Sequence, residues 1–349
     1  MATSTQPSPR EPYQPTTQPT PTHFFQSLFA YRLSAALKGA VELDLFTAIG
    51  EGERTAEAIT VRVQGSVRGV RILCDFLTVA RFLKKNGSEY SLTDESAAFL
   101  DRRSKMHMGS VALFLAHDDL VNKFSDIAGC VRKGGTMTDQ GTIVPDNPLW
   151  VEFARDMAPI AGMTGEMLYQ LLTQTGVSTK RVLDIAGGHG MYGITLAKHA
   201  PQAKVTIVDW HDVLEVAKQN AAKAGVEDRY ETIPGSAFEV EFGSGYDLVL
   251  LTNFLHHFDA ATNESLMRKV HASLVPGGHA VVVDFVPNED RVAPDEAAAF
   301  ALTMLATTPS GDAYTHSELD QMFKNAGFQS TELHPLPPTI HQVVIAHRE

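Results

Sequence analysis

From Lys180 onward, apolar runs typical of β-strands alternate with helical segments. The runs cover residues 181–186, 204–209, 229–233, 246–252 and 279–285, and the intervening helical stretches lie near 190–200, 211–224 and 260–274. Strands that alternate with helices in this way predict an α/β fold with a mainly parallel, doubly wound sheet. A ligand site is expected where the carboxyl ends of such strands meet, at the switch point of the sheet.

The end of the chain predicts a reversal of strand direction. After a helix at residues 317–326, the two strand-like runs 328–333 and 341–346 are separated by Pro335-Leu-Pro-Pro338. Too few residues lie between this turn and the last run for a parallel crossover, which needs roughly a dozen. The sequence therefore predicts a seven-stranded sheet whose last strand is antiparallel.

The first strand of this half runs directly into a glycine-rich turn that contains Gly187, Gly188 and Gly190. Glycines allow the backbone to approach a ligand closely, and the helix that follows offers free N–H groups. With Gly193 the turn fits the pattern GxGxxG, and Asp209 ends the second strand, as in dinucleotide-binding sites. That pattern alone indicates a nicotinamide-dependent dehydrogenase.

Asp184, which immediately precedes the turn, points to a different ligand. A carboxylate at this position would repel a pyrophosphate but would attract a ligand that carries an ammonium or sulfonium group. The reversed last strand is likewise typical of methyltransferases. These two features favour a methyltransferase over a dehydrogenase.

Six segments, in order, resemble one family. They are Leu183–Gly190, Asp209-Trp210, Gly235-Ser236-Ala237-Phe238, Leu255-His256-His257-Phe258, Pro276-Gly277-Gly278 and Asp284-Phe285-Val286-Pro287. The chain thereby resembles the S-adenosylmethionine-dependent O-methyltransferases that include plant caffeate and hydroxyindole enzymes and bacterial polyketide methyltransferases. The resemblance covers essentially residues 24–347 and includes the helical front half.

The resemblance implies that S-adenosylmethionine binds at the glycine turn and leaves as S-adenosylhomocysteine. It implies that Asp209 accepts hydrogen bonds from both ribose hydroxyls, since a carboxylate has two oxygens for a vicinal diol. Trp210 is expected either to stack on the adenine or to pack against the sheet. The expected cofactor-binding residues are Asp184, Gly187, Gly188, Gly190, Asp209, Trp210, Ser236, Ala237, Phe238 and Asn253.

His256 is the expected general base, because it follows the fourth strand on the edge that carries the ligand. An imidazole with an ordinary pKa near ~6.5 is suited to take a proton at neutral pH. In the resembled family, a histidine at this position deprotonates the acceptor hydroxyl. Asp284 matches a glutamate that orients this histidine in plant relatives, or it is a strand-end acid. A second plant glutamate falls near Ala313, so that role is absent here.

The acceptor is expected to be a small, hydroxylated aromatic molecule. The residues expected to line its pocket or to flank the cofactor are Phe153, Met157, Met163, His257, Phe300 and Met304. Phe300 and Met304 are four residues apart and so share a helix face. Methionines at helical spacing pack in cores, but they also adapt to aromatic ligands.

The front half predicts three further features. Residues 1–22 are rich in proline and threonine and are expected to be disordered. Residues 23–147 predict a helical winged-helix domain, with a turn at Asn86-Gly87 and an apolar helix face near 24–41 that packs internally or on a second subunit. The resemblance implies a homodimer formed by this domain. Residues 148–349 are then the catalytic domain.

Composition excludes several other classes. The chain has 29 Lys and Arg against 41 Asp and Glu, a net charge of −12, which disfavours nucleic-acid binding. No apolar run reaches ~18 residues, so no membrane span is expected. Two cysteines suit a reducing cytoplasm. Adjacent histidines without i, i+4 spacing do not predict a metal site.

Three alternatives remain open at this stage. One is the nicotinamide-dependent dehydrogenase, and another is a winged-helix regulator that senses the cofactor. The third is a protein of the same fold that transfers the methyl group to carbon, nitrogen or sulfur, or that does not methylate at all.

Overall fold

The computed structural model describes residues 19–349. The prediction of a disordered tail over 1–22 therefore lies almost entirely outside the described residues. The chain divides into two compact units, of which the second is Ala98–Glu349. The boundary drawn from the sequence, between residues 147 and 148, differs from this division, because residues 98–147 belong to the second compact unit.

The first unit consists of short helices followed by a hairpin. Its elements are α1 (Thr22–Phe29), α2 (Tyr31–Glu42), α3 (Leu45–Glu51), α4 (Ala56–Val63), α5 (Val67–Val79), β1 (Leu83–Asn86) and β2 (Glu89–Leu92). The side chains of Thr55 and Ser66 cap α4 and α5 by accepting hydrogen bonds from backbone N–H groups of the first turn. β1 and β2 pair antiparallel around a turn at Gly87-Ser88, one residue later than the expected Asn86-Gly87, because Asn86 is the last residue of β1 and pairs with Glu89. The winged-helix designation itself stays a prediction.

The apolar face expected near 24–41 is divided between α1 and α2. Within the described structure α1 has no buried residue. Its large apolar side chains are exposed, from 45% for Phe29 to 60% for Phe24. An apolar surface of this kind is typical of an interaction site.

The second unit carries the sheet. The point of division lies in α6 (Asp94–Phe99), and the following elements are α7 (Gly109–Leu115), α8 (Asp118–Lys123), α9 (Ile127–Lys133), α10 (Leu149–Asp156), α11 (Ala158–Thr175), β3 (Arg181–Ile185), α12 (Met191–His199), β4 (Lys204–Asp209), α13 (His211–Ala224), β5 (Tyr230–Pro234), β6 (Tyr246–Thr252), α14 (Ala260–Ser273), β7 (Leu274–Asp284), α15 (Asp295–Thr307), α16 (His316–Asn325), β8 (Ser330–Pro335) and β9 (Gln342–His347). Short 3-10 turns occur at Phe124–Asp126, Gly141–Ile143, Glu227–Arg229 and Leu255–His257.

The sheet is seven-stranded, in the order β5-β4-β3-β6-β7-β9-β8. The first five strands in this order are parallel, whereas β9 pairs antiparallel with both β7 and β8. The prediction of an α/β sheet with a reversed last strand is confirmed. The strand order reverses at β3, which places the switch point of the sheet beside the glycine turn.

Two elements differ from the expectation. The long helical stretch over 148–175 is two helices, because Pro159 has no N–H with which to continue α10 and is tolerated only in the first turn of a helix, here α11. β7 begins at Leu274, earlier than expected, and includes Pro276-Gly277-Gly278 with a register shift opposite β6. Gly277 has φ +76°, a conformation that glycine adopts at low cost.

Cys74 and Cys130 are buried and free. No helix among residues 19–349 is long and apolar enough to cross a membrane. In the same range, no group of three or more His, Cys, Asp or Glu side chains is arranged to hold a metal ion.

Candidate active site

The carboxyl ends of the five parallel strands bring most of the candidate residues to one edge of the sheet. Asp184 lies near the end of β3, Asp209 ends β4, and Asp284 ends β7. The segment 235–238 follows β5, and residues 253–257 follow β6. The shared location follows from parallel pairing, since parallel strands end at the same edge.

The glycine turn cannot tolerate side chains at its central positions. Gly188 and Gly190 have φ values of +57° and +73°, in the left-handed region. A Cβ atom on Gly187 would lie 2.7 Å from Cδ1 of Ile207, and one on Gly190 would overlap the hydroxyl of Tyr230. The side chains of Ile207 and Tyr230 pack so closely against the turn that only glycine fits at these two positions.

Asp184 is fully buried under this turn. Its Oδ2 accepts a hydrogen bond from the N–H of Gly193 at 3.3 Å, whereas no described donor contacts its Oδ1. Burial raises the pKa of Asp184 to about 7, the Gly193 N–H opposes that rise, and the nearby charge of Asp209 adds to it. A bound cation would therefore stabilise the charged form of this buried carboxyl group.

Both carboxylate oxygens of Asp209 accept backbone hydrogen bonds. Oδ2 accepts from the N–H of Gly188 at 2.8 Å, and Oδ1 accepts from the N–H of Trp210 at 2.7 Å. Burial raises the pKa of Asp209 to about 6, and the two N–H groups limit the rise because they favour the charged form. These bonds tie the end of β4 to the glycine turn.

The segments that follow β5 and β6 carry the aromatic and amide side chains of the site. Phe238 packs with Phe254 and Phe258 at ring-centroid distances of 6.2 and 4.8 Å. The hydroxyl of Ser236 accepts a hydrogen bond from the N–H of Phe238 at 3.3 Å, so it caps the turn. Asn253 has φ +50°, and its buried Oδ1 lacks a described partner. Ala237 is buried in the core beside this group.

His256 and Asp284 form a buried pair. Nδ1 of His256 lies 2.6 Å from Oδ1 of Asp284, and each residue is only 4% exposed. The same carboxylate oxygen accepts the N–H of Phe285 at 2.8 Å, which fixes its orientation. A carboxylate on Nδ1 selects the tautomer that leaves Nε2 of His256 as an acceptor of protons.

Aromatic rings surround the imidazole of His256. The ring of Phe300 meets it edge-on at 4.8 Å, and that of His257 lies at 4.3 Å. Phe285 stacks on Phe300 at 3.9 Å with an interplanar angle of 17°. Burial, and next the neighbouring His256, lower the pKa of His257 well below its ordinary value, so His257 is neutral at pH 7.

The remaining predicted pocket residues lie on α10, α11 and α15 or at the break between α10 and α11. Phe153 stacks on His189 of the glycine turn, with ring centroids 5.7 Å apart. Met304 is buried one helical turn beyond Phe300 on α15. Met157 lies at the break between α10 and α11, and Met163 is 39% exposed on α11.

Trp210 is half-buried, and it packs against a small cluster around Ala154, Val213 and Val216. This contact corresponds to the packing alternative for Trp210. Its stacking on adenine stays a prediction.

Sequence reasoning missed several residues of the site. His341, which precedes β9, packs against Phe285 at 4.8 Å, and burial lowers its pKa to about 4. Tyr230 supports Gly190 from below, and the rings of Trp150 and His257 lie 5.3 Å apart. No local pattern marks these positions, because each reaches the site only through the tertiary fold.

The comparisons with known proteins agree with this geometry. A sequence model described as an O-methyltransferase domain matches residues 137–329, and one described as an O-methyltransferase dimerisation domain matches residues 25–102. A crystal structure of a Nostoc punctiforme protein assigned as an O-methyltransferase is 48% identical, with a TM-score of 0.91, and covers 95% of this chain and 100% of its own.

More distant relatives are similar in the same way. The 3-hydroxy-5-methyl-1-naphthoate 3-O-methyltransferase of Streptomyces sahachiroi is 26% identical over 83% of this chain and 84% of its own length. Human N-acetylserotonin methyltransferase, solved in complex with S-adenosylmethionine, is 19% identical with a TM-score of 0.83, over 96% of this chain and 99% of its own, which shows the shared fold.

The parallel sheet, its reversed last strand and the glycine turn define a class I methyltransferase fold. The chain belongs to the O-methyltransferase family that has an N-terminal dimerisation domain, and the cofactor of this family is S-adenosylmethionine.

Proposed function

We propose that this protein transfers a methyl group from S-adenosylmethionine to a hydroxyl group of a small aromatic acceptor, with His256 as the general base. The observation that carries the proposal is the buried contact of 2.6 Å between His256 and Asp284, which lies beside the rings of Phe300 and His257. An oriented imidazole in an aromatic environment suits the deprotonation of a phenolic hydroxyl.

The residues present fit the cofactor. Asp184 and Asn253 each have a buried side-chain oxygen to which the described part of the chain supplies no donor, and the cofactor has an ammonium group that donates. The carboxylate of Asp209 suits a vicinal diol. The glycines of the turn carry no side chain that would keep a ligand away from the backbone. When bound, S-adenosylmethionine supplies an electrophilic methyl group.

The protein's own residues then orient the acceptor and move one proton. Nε2 of His256 takes the proton of the acceptor hydroxyl, and Asp284 stabilises the resulting imidazolium through Nδ1. The surrounding rings position the acceptor and exclude water, which strengthens the electrostatic interaction within the pair. Phe153, Met157, Met163, His257, Phe300 and Met304 are the side chains that we assign to the acceptor pocket and its border.

Calorimetric titration with S-adenosylhomocysteine and, separately, with NAD tests the cofactor. We expect micromolar binding of the first and none of the second. Incubation with S-adenosylmethionine and a panel of phenols, catechols, hydroxyindoles and hydroxynaphthalenes should then give a product heavier by one methylene, with an O-methyl signal by NMR. A methyl group on carbon, nitrogen or sulfur would contradict O-transfer, and NAD binding would contradict the cofactor assignment.

We further propose that the protein is a homodimer and that α1 contributes to the contact. The support is the match to a dimerisation domain and the exposed phenylalanines of α1. Replacement of both Phe25 and Phe29 by Glu should produce a monomer, because charges cannot be buried unpaired in an apolar contact. Analytical ultracentrifugation measures this. Val131→Glu, at a 61% exposed apolar position of α9, is the control that should remain dimeric. A double variant that stays dimeric would exclude α1.

The buried, reduced cysteines Cys74 and Cys130 suit a cytoplasmic location. This location is part of the proposal and rests on composition.

A further inference from the structure

We propose that Arg291 is a positioning residue for His256, acting through the strap formed by residues 308–315, the segment that joins α15 to α16. The inference rests on the proposed role of His256 as the base. It concerns how the imidazole of His256 and the carboxylate of Asp284, which lie on separate segments, are kept in register.

The strap holds the backbone of the turn that carries His256. The N–H of Asp312 donates to the carbonyl of His256 at 3.0 Å, and the hydroxyl of Tyr314 donates to the carbonyl of Phe258 at 2.6 Å. At Gly311 the two backbones approach so closely that a Cβ would overlap the carbonyl oxygen of His256. The position of His256 therefore depends on the position of the strap.

Arg291 forms hydrogen bonds to two residues of the strap. Its Nη1 donates to Oδ2 of Asp312 at 3.3 Å and to the carbonyl of Ala313 at 3.1 Å. Its Nη2 contacts both carboxylate oxygens of Glu318, the closer at 2.5 Å, in the first turn of α16. One planar guanidinium thus joins the strap to α16. A lysine ammonium cannot make the same set of contacts, because it lacks the two separated NH₂ groups of the guanidinium.

Arg291 lies on the loop that leaves β7, the strand that ends with Asp284. Its backbone has φ +57°, a conformation that a non-glycine residue adopts only where its surroundings impose it. The N–H of Arg291 donates to the carbonyl of Asn288 at 2.8 Å, and that of Asn288 donates to the carbonyl of Ala293 at 2.7 Å. This closed loop directs the guanidinium towards the strap. One side chain consequently connects the segment that follows Asp284 with the segment that holds His256.

A contribution to stability alone does not account for this arrangement. The side chains of Arg291, Asp312 and Glu318 are 39, 41 and 42% exposed, and ion pairs at such exposure contribute little to folding. A displacement of a catalytic group by about 1 Å, in contrast, reduces turnover by up to roughly 10²-fold. The effect of Arg291 is therefore expected in catalysis rather than in the melting temperature.

The first test compares Arg291→Ala and Arg291→Lys with Arg268→Ala, which removes an exposed arginine paired with Glu264 on α14. We expect kcat to fall about tenfold for both Arg291 variants, because lysine keeps the charge but loses the fork. The dissociation constant of S-adenosylhomocysteine and the melting temperature should not change. The acid limb of the pH profile of kcat should shift, because the contact between His256 and Asp284 is altered. Arg268→Ala should resemble the wild type.

A second variant acts on the strap directly. Gly311→Ala introduces the Cβ that would overlap the His256 carbonyl, so it should lower kcat more than Arg291→Ala while binding of S-adenosylhomocysteine is retained. Unchanged kcat and pH profile in Arg291→Ala, together with a large loss in His256→Ala, would overturn the role of Arg291 and leave the proposed base in place. Unchanged kcat in Gly311→Ala would overturn the role of the strap. Unchanged turnover in His256→Ala would instead overturn the proposed base. Full rescue by Arg291→Lys would show that charge, and not the fork, is what matters, and would likewise contradict the proposal.

Discussion

His256→Asn is expected to reduce kcat by about 10²–10⁴-fold, the usual contribution of a general base. Asparagine retains a side chain of similar polarity, but it cannot accept the hydroxyl proton at neutral pH. The contact with Asp284 at 2.6 Å would be weakened at the same time. Affinity for S-adenosylhomocysteine should remain unchanged, since Asp184 lies on β3, Asp209 on β4 and the glycine turn between β3 and α12.

The measurement is steady-state kinetics with the best acceptor from the panel, together with calorimetry for the cofactor product. His334→Asn is the matched control, because His334 also contacts a carboxylate, that of Glu332, at 3.1 Å, but on β8 at the edge strand of the sheet. The kcat of Asp284→Asn should lie between those of His256→Asn and His334→Asn, since this substitution removes the orienting charge but leaves the imidazole. Turnover that survives His256→Asn would point to catalysis by proximity and would contradict the general-base role.

Asp184→Asn is expected to change stability and cofactor affinity in opposite directions. The ligand-free variant should be more stable above pH 7, because asparagine removes the cost of a buried, incompletely paired charge. Its affinity for S-adenosylhomocysteine should fall by about 30-fold or more, as expected when one member of a buried charge pair is lost. A residue of purely structural importance would lower both quantities.

The pH dependence provides an independent check. Burial raises the pKa of Asp184 to about 7 in the folded chain, against an ordinary value of 3.8. Between these two pH values the folded state binds more protons than the unfolded state, so the contribution of this group to stability decreases as the pH rises. The loss is complete above pH 7 and is on the order of 4 kcal/mol. Asp184→Asn should remove this contribution, whereas Asp209, whose pKa burial raises to about 6, should retain its own.

Urea unfolding of the ligand-free protein from pH 5 to pH 8, with and without the substitution, measures the effect. Asp228→Asn, at an exposed position of the Glu227–Arg229 turn, serves as the control and should follow the wild type. Equal slopes of stability against pH in Asp184→Asn and wild type would show that Asp184 does not titrate in this range. Unchanged binding of S-adenosylhomocysteine would remove Asp184 from the cofactor site.

Much of the sheet and of its ligand edge could be predicted because the relevant signals are local. Alternation of apolar runs with helices gives the strands, and parallel pairing then collects Asp184, Asp209 and Asp284 at one edge. The short connection before β9 gives its direction. These arguments need only the sequence of each segment and the geometry of β-structure.

The rest depends on contacts between distant segments. His341 and Trp150 reach the site from separate parts of the chain, and nothing in their own neighbourhoods marks them. The break at Met157 could have been predicted from Pro159, because proline is tolerated in the first turn of a helix but not in its interior. The contacts of Arg291 could not, because they need the left-handed backbone at that residue and the return of the strap over the turn at His256.

The pairing of β6 with β7 has a consequence for how this protein can change its acceptor. His256 follows β6 and Asp284 ends β7, so the pairing of these adjacent strands brings the two residues to the same edge of the sheet. Phe300 and Met304 belong to α15, outside the sheet. If the proposed pocket and base are correct, substitutions on that helix should alter which acceptors are methylated while the strands that carry the proposed base and its carboxylate stay unchanged.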